Sequence, residues 1–339
     1  MKKPALTLCI YLLAGSLMAQ LGGRQSFEFL NLPVGARVAG LGGVIISATD
    51  EDVNLFLSNP SLLDTANHNF VSWSHLGFYA DVKYNNFAYA RNFGKLGIFG
   101  IGIQHLGYGD IDRYDAVGNP IGSFNAGETA VTISKSHQLG PFRMGTNLKY
   151  INSNLDTYSA SALAMDIGGS YFHPIHELTV SILFKNLGIV LTDYSSTSSS
   201  TLPTDIQVGA TFKPKDMPFR LSVTAYNLGK SESTFYDPSI DGSDEEPGAA
   251  DKIFRHLNFG LEIVMNKNIN IRGGYNHLIR NELGIEEKKG LSGVSLGFMA
   301  RIKAFELSYT FSTYHVDSGR SYFTITSNLN RVFKKKSII

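Results

Sequence analysis

The feature that most constrains this chain is an alternation of apolar and polar residues with a period of two, recurring from Asn69 almost to the C-terminus. In residues 99–103, for example, Phe99, Ile101 and Ile103 alternate with Gly100 and Gly102. Residues 142–150 and 257–265 repeat the pattern. Successive side chains of a strand point to opposite faces, so the pattern predicts β-strands with one apolar face. It fits a membrane barrel with that face outward or a soluble sandwich with it inward.

The spacing of the turns separates these two folds. Short turns alternate with longer connections, the longest being 107–127, 187–203, 228–253 and 277–290. An even number of strands with this alternation is typical of an outer-membrane barrel, whose turns are periplasmic and whose loops lie outside. We therefore predict an all-β fold, a single-chain outer-membrane β-barrel of about fourteen antiparallel strands. They lie near residues 69–75, 82–93, 96–106, 128–137, 142–152, 160–172, 177–186, 204–213, 219–227, 254–266, 269–276, 291–302, 305–314 and 320–328.

The N-terminus has the features of a secretory signal peptide. Lys2 and Lys3 precede an apolar run from residue 5 to 17, and Ala19 lies before the expected cleavage site. A short membrane anchor is the alternative, but the run is too short to cross a bilayer comfortably. The only cysteine, Cys9, lies within this signal, so we expect neither disulfide nor thiol chemistry in the mature chain.

Residues 36–63 differ from everything downstream. Glycines including Gly42 and Gly43 are followed by an acidic cluster, an apolar run and the Asn59-Pro60 turn. Small residues allow close backbone packing, so this stretch is predicted to be a plug that the strands surround. We expect Arg37 to pair with the acidic cluster, Asp50 to Asp52. The predicted domains are a signal peptide (1–19), an N-terminal plug (20–68), the barrel (69–329) and a basic periplasmic tail (330–339).

Side chains that could act in catalysis or bind a cofactor form no recognisable site in the sequence. Phosphate-binding glycine loops and nucleophile motifs are absent from the sequence, and His173 and His176 read as a polar turn. The acidic stretches 110–115 and 241–246 are interpreted as outer loops, with loosely held calcium as the alternative. A net charge of +1 argues against a nucleic-acid partner. We predict a protein that is not an enzyme and has no cofactor, catalytic residue or metal ligand.

The N-terminal motifs resemble a known family. Arg37, Leu41-Gly42-Gly43, Asp50 to Asp52 and the run from Asn59-Pro60 to Leu63 resemble the plug of the FadL-like outer-membrane barrel superfamily, with Ser61 where alanine is usual. Within that superfamily, residues 20–33 and 52–57 look like the PorV/PorQ branch of the type IX secretion barrels. The site residues that the resemblance nominates are structural plug positions: Arg37, Gly42, Gly43, Asp50, Asp52, Asn59 and Pro60.

This resemblance implies a non-enzymatic role in the outer membrane of a Gram-negative bacterium, with Bacteroidetes as the expected group. Barrels of that branch belong to an attachment complex with the surface protein PorZ, a sortase-like transpeptidase and a PorV-like barrel, which anchors secreted cargo to lipopolysaccharide. The outer loops would dock these partners, with membrane lipid around the barrel. Two alternatives remain open: a FadL-type channel for hydrophobic small molecules and a soluble periplasmic β-protein. A channel should show an apolar pocket at the plug and a gap or kink in one wall, whereas a docking barrel can be sealed.

Overall fold

The computed structural model describes residues 26–78, 81–195, 197–229, 248–282, 290–315 and 318–333. Within these residues fourteen antiparallel strands form a closed barrel, in which each strand pairs with its sequence neighbours and β1 pairs with β14. The strands are β1 Phe70–Gly77, β2 Lys83–Asn92, β3 Ile98–Tyr114, β4 Pro120–Leu139, β5 Phe142–Leu155, β6 Tyr158–Phe172, β7 Glu177–Thr192, β8 Asp205–Lys213, β9 Phe219–Ala225, β10 Leu257–Asn266, β11 Ile269–Asn276, β12 Val294–Ile302, β13 Phe305–His315 and β14 Ser318–Asn328. The predicted fold class and strand number are confirmed.

The two ends of the barrel differ. We call the end at which Phe70 pairs with Asn328 the turn end; its connections include residues 140–141, 267–268 and 303–304. The opposite end, which carries the described residues of the connections after β7, β9 and β11 (193–195, 197–204, 226–229, 248–256, 277–282 and 290–293), is the loop end. Because the strand number is even, the barrel begins and finishes at the turn end.

The alternating pattern separates an outer from an inner face. Ile101, Ile133 and Leu148 point outward and are 42%, 55% and 58% exposed. Inward positions carry glycine and polar residues, among them Gly102 and the fully buried Asn147. A polar interior inside an apolar outer surface is the arrangement of a membrane barrel, and the reverse of a soluble sandwich.

The barrel wall is high on one side, where the strands are long, and low on the other, where they are short. The long strands occupy residues of two stretches that were predicted to be loops. Residues 107–127 form a β-ribbon rather than a loop, because β3 continues to Tyr114 and β4 begins at Pro120. Similarly, β7 runs to Thr192, within the predicted loop 187–203. The ribbon extends past the apolar band, where neither strand face needs apolar residues, so alternation could not reveal it. In β7 the outward apolar positions change from even numbers, as at Phe184, to odd numbers, as at Leu187, so the period of two breaks there. By contrast, β8 to β12 contain only seven to ten residues each.

The predicted alternation of short turns with longer loops fails at two connections, β5–β6 and β13–β14; in the second, β13 ends at His315 and β14 begins at Ser318. β5 and β6 are joined at the loop end by Asp156 and Thr157 alone, not by the longer loop 153–159 that the predicted strands leave. Asp156 adopts a positive φ of 56°, which Asp tolerates better than most residues and which a tight hairpin needs. Connection length is therefore not sorted strictly by barrel end.

Short helices complete the described chain. The helix α3 (Ala249–Arg255) begins within the predicted loop 228–253, and α4 (His277–Glu282) lies within the predicted loop 277–290. The helix α5 (Leu329–Val332) follows the last strand. The acidic stretch 241–246, the signal peptide and residues 334–339 lie outside the described residues. Of the helices in the described ranges, none is long and apolar enough to cross a membrane.

Residues 26–69, here called the N-terminal segment, lie inside the barrel. The segment contains α1 (Ala36–Gly40), α2 (Leu55–Ser58) and 3-10 turns at Glu28–Asn31, Pro60–Leu62 and Thr65–Asn67. Most of its residues are buried, and its backbone bonds to side chains on distant strands: Thr324 Oγ1 accepts from Ala36 N at 2.8 Å, and Thr310 Oγ1 donates to Ala36 O at 2.6 Å.

Glycines on the inner wall make room for this segment. A Cβ atom at Gly102 of β3 would lie 2.6 Å from the Leu57 side chain. At Gly145 of β5 it would lie 2.3 Å from the backbone of Pro60, and at Gly274 of β11 2.0 Å from the backbone nitrogen of Gly42. Cβ contacts this short are essentially never seen, so Gly145 and Gly274, which face backbone atoms, accept only glycine while the segment stays in place. At Gly102 the end of the flexible Leu57 side chain would have to shift.

Candidate functional site

A buried ion-pair cluster joins the N-terminal segment to the wall. The Arg37 guanidinium donates through Nε and Nη2 to both oxygens of Glu262 on β10, at 3.0 and 2.8 Å, and through Nη2 to Asp50 at 2.7 Å. Arg220 of β9 bonds Asp50 at 2.6 Å and Glu262 at 2.9 Å, while Arg272 of β11 bonds Glu262 at 3.2 Å. The predicted pairing of Arg37 with Asp50 is therefore present, as one contact of a larger cluster.

This cluster depends on Glu262. The Glu262 side chain is fully buried, and it accepts hydrogen bonds from all three arginines. A buried charge is tolerated only when it is paired and hydrogen-bonded, which a bidentate guanidinium–carboxylate contact achieves. Because the three arginines face only two carboxylates within contact distance, loss of either carboxylate would leave positive charges facing one another.

A second buried pair marks an irregularity in β7. Lys149 of β5 bonds Asp166 of β6 at 2.7 Å and Asn186 of β7 at 2.8 Å. Opposite Asp166, β7 carries the two residues Lys185 and Asn186, so the strand contains a β-bulge, with φ of 55° at Asn186. The pairing of β7 with β8 stops at Lys185, beside the bulge. The wall is thus kinked where its height drops.

A cavity of about 270 Å³ lies next to this bulge, between the N-terminal segment and the low wall. We call it the loop-end cavity. Its apolar surface comes from the segment and α4, through residues such as Leu30, Val38, Ile46 and Leu278. The volume is close to the lower end of typical small-molecule pockets, about 300–1,000 Å³.

The polar part of the loop-end cavity is small and defined. Its charged lining residues, among those described, are Glu28, Lys185 and Asp205, and Gln207, Tyr226 and Asn276 also contribute polar groups. Lys185 Nζ donates to Asn31 Oδ1 at 3.1 Å, and Asn31 Nδ2 donates to Glu28 at 2.7 Å. An apolar chamber with a few placed polar groups is the usual character of a small-molecule site.

A second cavity opens toward the turn end and is very different. It measures about 640 Å³ and is lined mainly by charged side chains, among them Asp52, Arg301 and Glu306. The ion-pair cluster forms part of its wall, since Arg37, Asp50, Arg220 and Arg272 also line it. The N-terminal segment thus has an apolar chamber on one side and a charged chamber on the other.

The sequence-nominated residues occupy three separate places. Arg37 and Asp50 belong to the ion-pair cluster, and Asp52 Oδ1 accepts from the backbone of Asn54 at 3.0 Å, close to α2. Gly42 and Gly43 have φ of 91° and 95° and line the loop-end cavity. Asn59 Oδ1 accepts from Ser61 N at 3.0 Å, and Pro60 begins the 3-10 turn, so the predicted Asn-Pro turn is present.

Several residues of these sites escaped sequence reasoning. These are Glu262, Arg220, Arg272, Lys185 and Asp205, which are scattered between positions 185 and 272 of the strand region. A charged residue at an inward-facing strand position is the signal that could have revealed Glu262, because it lies in the alternating stretch 257–265. Its partner Arg37 is 225 residues away, a separation that no local pattern bridges.

Comparison with known proteins bears on the fold. No protein-family model matches the sequence, and no curated protein matches it significantly. A deltaS2 mutant of the TodX monoaromatic hydrocarbon channel has a similar structure, with a TM-score of 0.51 over 86% of this chain and 96% of that chain, at 11% identity. At such low identity the likeness shows the fold alone.

Two other similar structures have lower scores. The toluene transporter TbuX of Ralstonia pickettii has a TM-score of 0.48 at 10% identity, covering 87% of this chain and 97% of that chain. A Pseudomonas aeruginosa FadL homologue scores 0.44 at 9% identity, covering 87% and 98%.

Proposed function

We propose that this protein is a non-enzymatic outer-membrane barrel that binds small, largely apolar molecules and admits them to the membrane or the periplasm. In this role the turn end faces the periplasm, the loop end faces the exterior, and the N-terminal segment is the plug. The observation that carries the proposal is the loop-end cavity beside the β7 bulge. An apolar pocket at the plug and a kink in one wall are the two features expected of a channel and not required of a docking barrel.

The likeness to the TodX hydrocarbon channel supports this proposal through the fold only. The cavity is of a size for a monoaromatic ring with a short side chain. The N-terminal segment lines both this cavity and the charged cavity that opens toward the turn end, so passage along the barrel axis requires the plug to rearrange.

Binding can be tested directly with propylbenzene. The barrel is reconstituted in lipid nanodiscs and titrated by ligand-observed NMR, with protein-free nanodiscs measuring partition into lipid. We expect saturable binding that Leu278→Trp abolishes, since Leu278 lines the cavity and tryptophan would fill it. Leu291→Trp is the matched control, because Leu291 is an exposed loop-end residue outside the cavity lining. Binding unaffected by Leu278→Trp would refute the proposed site.

A second function, docking of surface partners, is favoured by a different observation. Residues 108–125, the β3–β4 ribbon, extend beyond both neighbouring strands. β2 begins at Lys83, which pairs with Gly107, and β5 ends at Leu155, which pairs with Ala126. A two-stranded ribbon standing above its neighbours suits contact with another protein. We propose that, if the chain is a PorQ-type member of a type IX attachment complex in Bacteroidetes, this ribbon contacts PorZ, the sortase-like transpeptidase or the PorV-like barrel.

Shortening the ribbon tests this second function. Removal of residues 110–113 with their pairing partners 122–125 preserves the register and the tip. Affinity purification from the outer membrane of the native host should then lose PorZ-like, PorV-like and sortase-like proteins. Propylbenzene binding should persist, which would separate docking from channel function. Recovery of none of these partners with the unshortened barrel would eliminate the docking proposal.

A further inference from the structure

Asp205 stands out among the residues of the loop-end cavity. It begins β8, lines the cavity and is only 8% exposed. Its Oδ2 accepts a hydrogen bond from Gln207 Nε2 at 2.7 Å, whereas Oδ1 has no hydrogen-bond partner among the described residues. The backbone N–H groups of Asn227 and Ile206 also point toward this carboxylate, but neither makes a hydrogen bond to Oδ1. A buried carboxylate oxygen without a donor is costly, and a ligand that supplies the donor would remove that cost.

The charge around the cavity favours the same kind of ligand. Two carboxylates, Glu28 and Asp205, line it against one ammonium group, that of Lys185. Lys185 already donates to Asn31, and Lys149 behind it is paired with Asp166. An incoming carboxylate would therefore meet a net negative lining, in a low-dielectric site where like charges repel strongly.

We propose that the ligands of this cavity are small apolar molecules carrying one hydrogen-bond donor, an alcohol or an amine, which Asp205 accepts, and that carboxylates are rejected. The inference rests on the proposed function and goes beyond it, because an apolar pocket alone would bind hydrocarbons best. Asp205 is here a specificity-determining residue: the apolar lining binds the body of the ligand, and the carboxylate selects its polar end.

A series of ligands of similar size tests this on the wild-type barrel. Propylbenzene, phenethyl alcohol, phenethylamine and phenylacetate share a ring and differ at the end of the side chain. In nanodiscs, with binding corrected for partition into lipid, we expect the alcohol and the amine to bind at least about tenfold more tightly than propylbenzene, because a hydrogen bond to a charged group contributes that much. Phenylacetate should bind more weakly than all three.

The variant Asp205→Asn removes the charge and keeps the shape. It should eliminate the advantage of phenethylamine, and it should improve the relative binding of phenylacetate by about tenfold or more, while propylbenzene binds as before. Asp216→Asn is the matched control, since Asp216 lies exposed in the β8–β9 turn at the other end of the barrel. The wild-type series remains informative should Asp205→Asn not fold.

The outcomes distinguish the two proposals. If propylbenzene binds at the Leu278 site but phenylacetate binds as tightly as phenethylamine, the donor selection is wrong and the proposed function stands. An amine preference that persists in Asp205→Asn would also overturn the role of Asp205. If none of the four ligands binds to the barrel beyond its lipid, both the proposed function and this inference fail.

Discussion

At the scale of single residues, Glu262 is the most sensitive position in the lumen. The change Glu262→Gln would leave Arg37, Arg220 and Arg272 close together with Asp50 as their remaining carboxylate. Breaking a buried pair by removing one charge costs about 3–5 kcal/mol, so we expect unfolding in urea to shift by that free energy.

Glu177→Gln provides the comparison for this prediction. Glu177, the first residue of β7, is 60% exposed and pairs at 2.9 Å with Lys213, the last residue of β8, at the turn end of the barrel. An exposed pair of this kind contributes about 0–1 kcal/mol. Equal stability losses in the two variants would mean that the ion-pair cluster does not hold the N-terminal segment.

A glycine pair tests the close fit between segment and wall. Gly145→Ala would place a Cβ atom 2.3 Å from the Pro60 backbone, whereas Gly169→Ala on the neighbouring strand would meet its nearest atom at 3.7 Å. Overpacking of a closed interior costs about 1–3 kcal/mol, so Gly145→Ala should lower the thermal unfolding midpoint and Gly169→Ala should leave it nearly unchanged. Similar midpoints in both variants would contradict the packing of Pro60 against β5.

The residue scale also shows what the sequence could predict. Arg37 and Asp50 were paired correctly, because thirteen positions separate them and opposite charges in one short stretch are a local signal. Glu262 was assigned to the inner face by alternation, but its partners depend on barrel closure. Asp205 gave no signal, because a missing hydrogen-bond donor is visible only in three dimensions.

At the scale of elements, apolar alternation located strands only inside the apolar band. The bounds of β8 and β11 were predicted to within one residue, since their outward residues are mostly apolar along the whole strand. The ends of β3 and β4 were missed where the strands leave that band and lose their apolar alternation. The end of β7 was missed for another reason: its outward apolar positions change from even numbers, as at Phe184, to odd numbers, as at Leu187. The change occurs at the β7 bulge, which is defined only by the pairing of Asp166 on β6.

The helices at the loop end are joined by a pH-sensitive contact. Asp251 of α3 bonds Arg255 at 2.6 Å and His277 of α4 at 2.7 Å. Burial raises the pKa of Asp251, but hydrogen bonds from Arg255 and His277 outweigh this effect and hold the pKa below its usual value.

The sign of the pH dependence follows from this lowered pKa. The contact contributes its full stability above the ordinary aspartate pKa of about 3.9 and loses it as the pH falls through the lower pKa of the folded state. We expect amide hydrogen exchange in α3 to accelerate below about pH 4, after correction for intrinsic rates. Asp251→Asn should give the fast exchange at neutral pH as well. Exchange in α3 that is unaffected by Asp251→Asn would show that the contact does not order the helix.

At the scale of the whole molecule, the lumen is filled by the chain's own N-terminal segment. Removal of residues 26–63 would take away Arg37 and the side chains that occupy the glycine-lined spaces of the wall. We expect such a barrel, refolded in lipid bilayers, to show a larger single-channel conductance than the full-length protein. Equal conductances would mean that the N-terminal segment does not restrict the lumen.

The position of Ala36 has a consequence for the order of assembly. Its amide and carbonyl groups are bonded by side chains of β14 and β13, the two strands synthesised last. The first part of the described chain therefore obtains its final hydrogen bonds only when the last part arrives. We therefore expect the N-terminal segment to take its final position in the same cooperative step in which β14 pairs with β1 and closes the barrel.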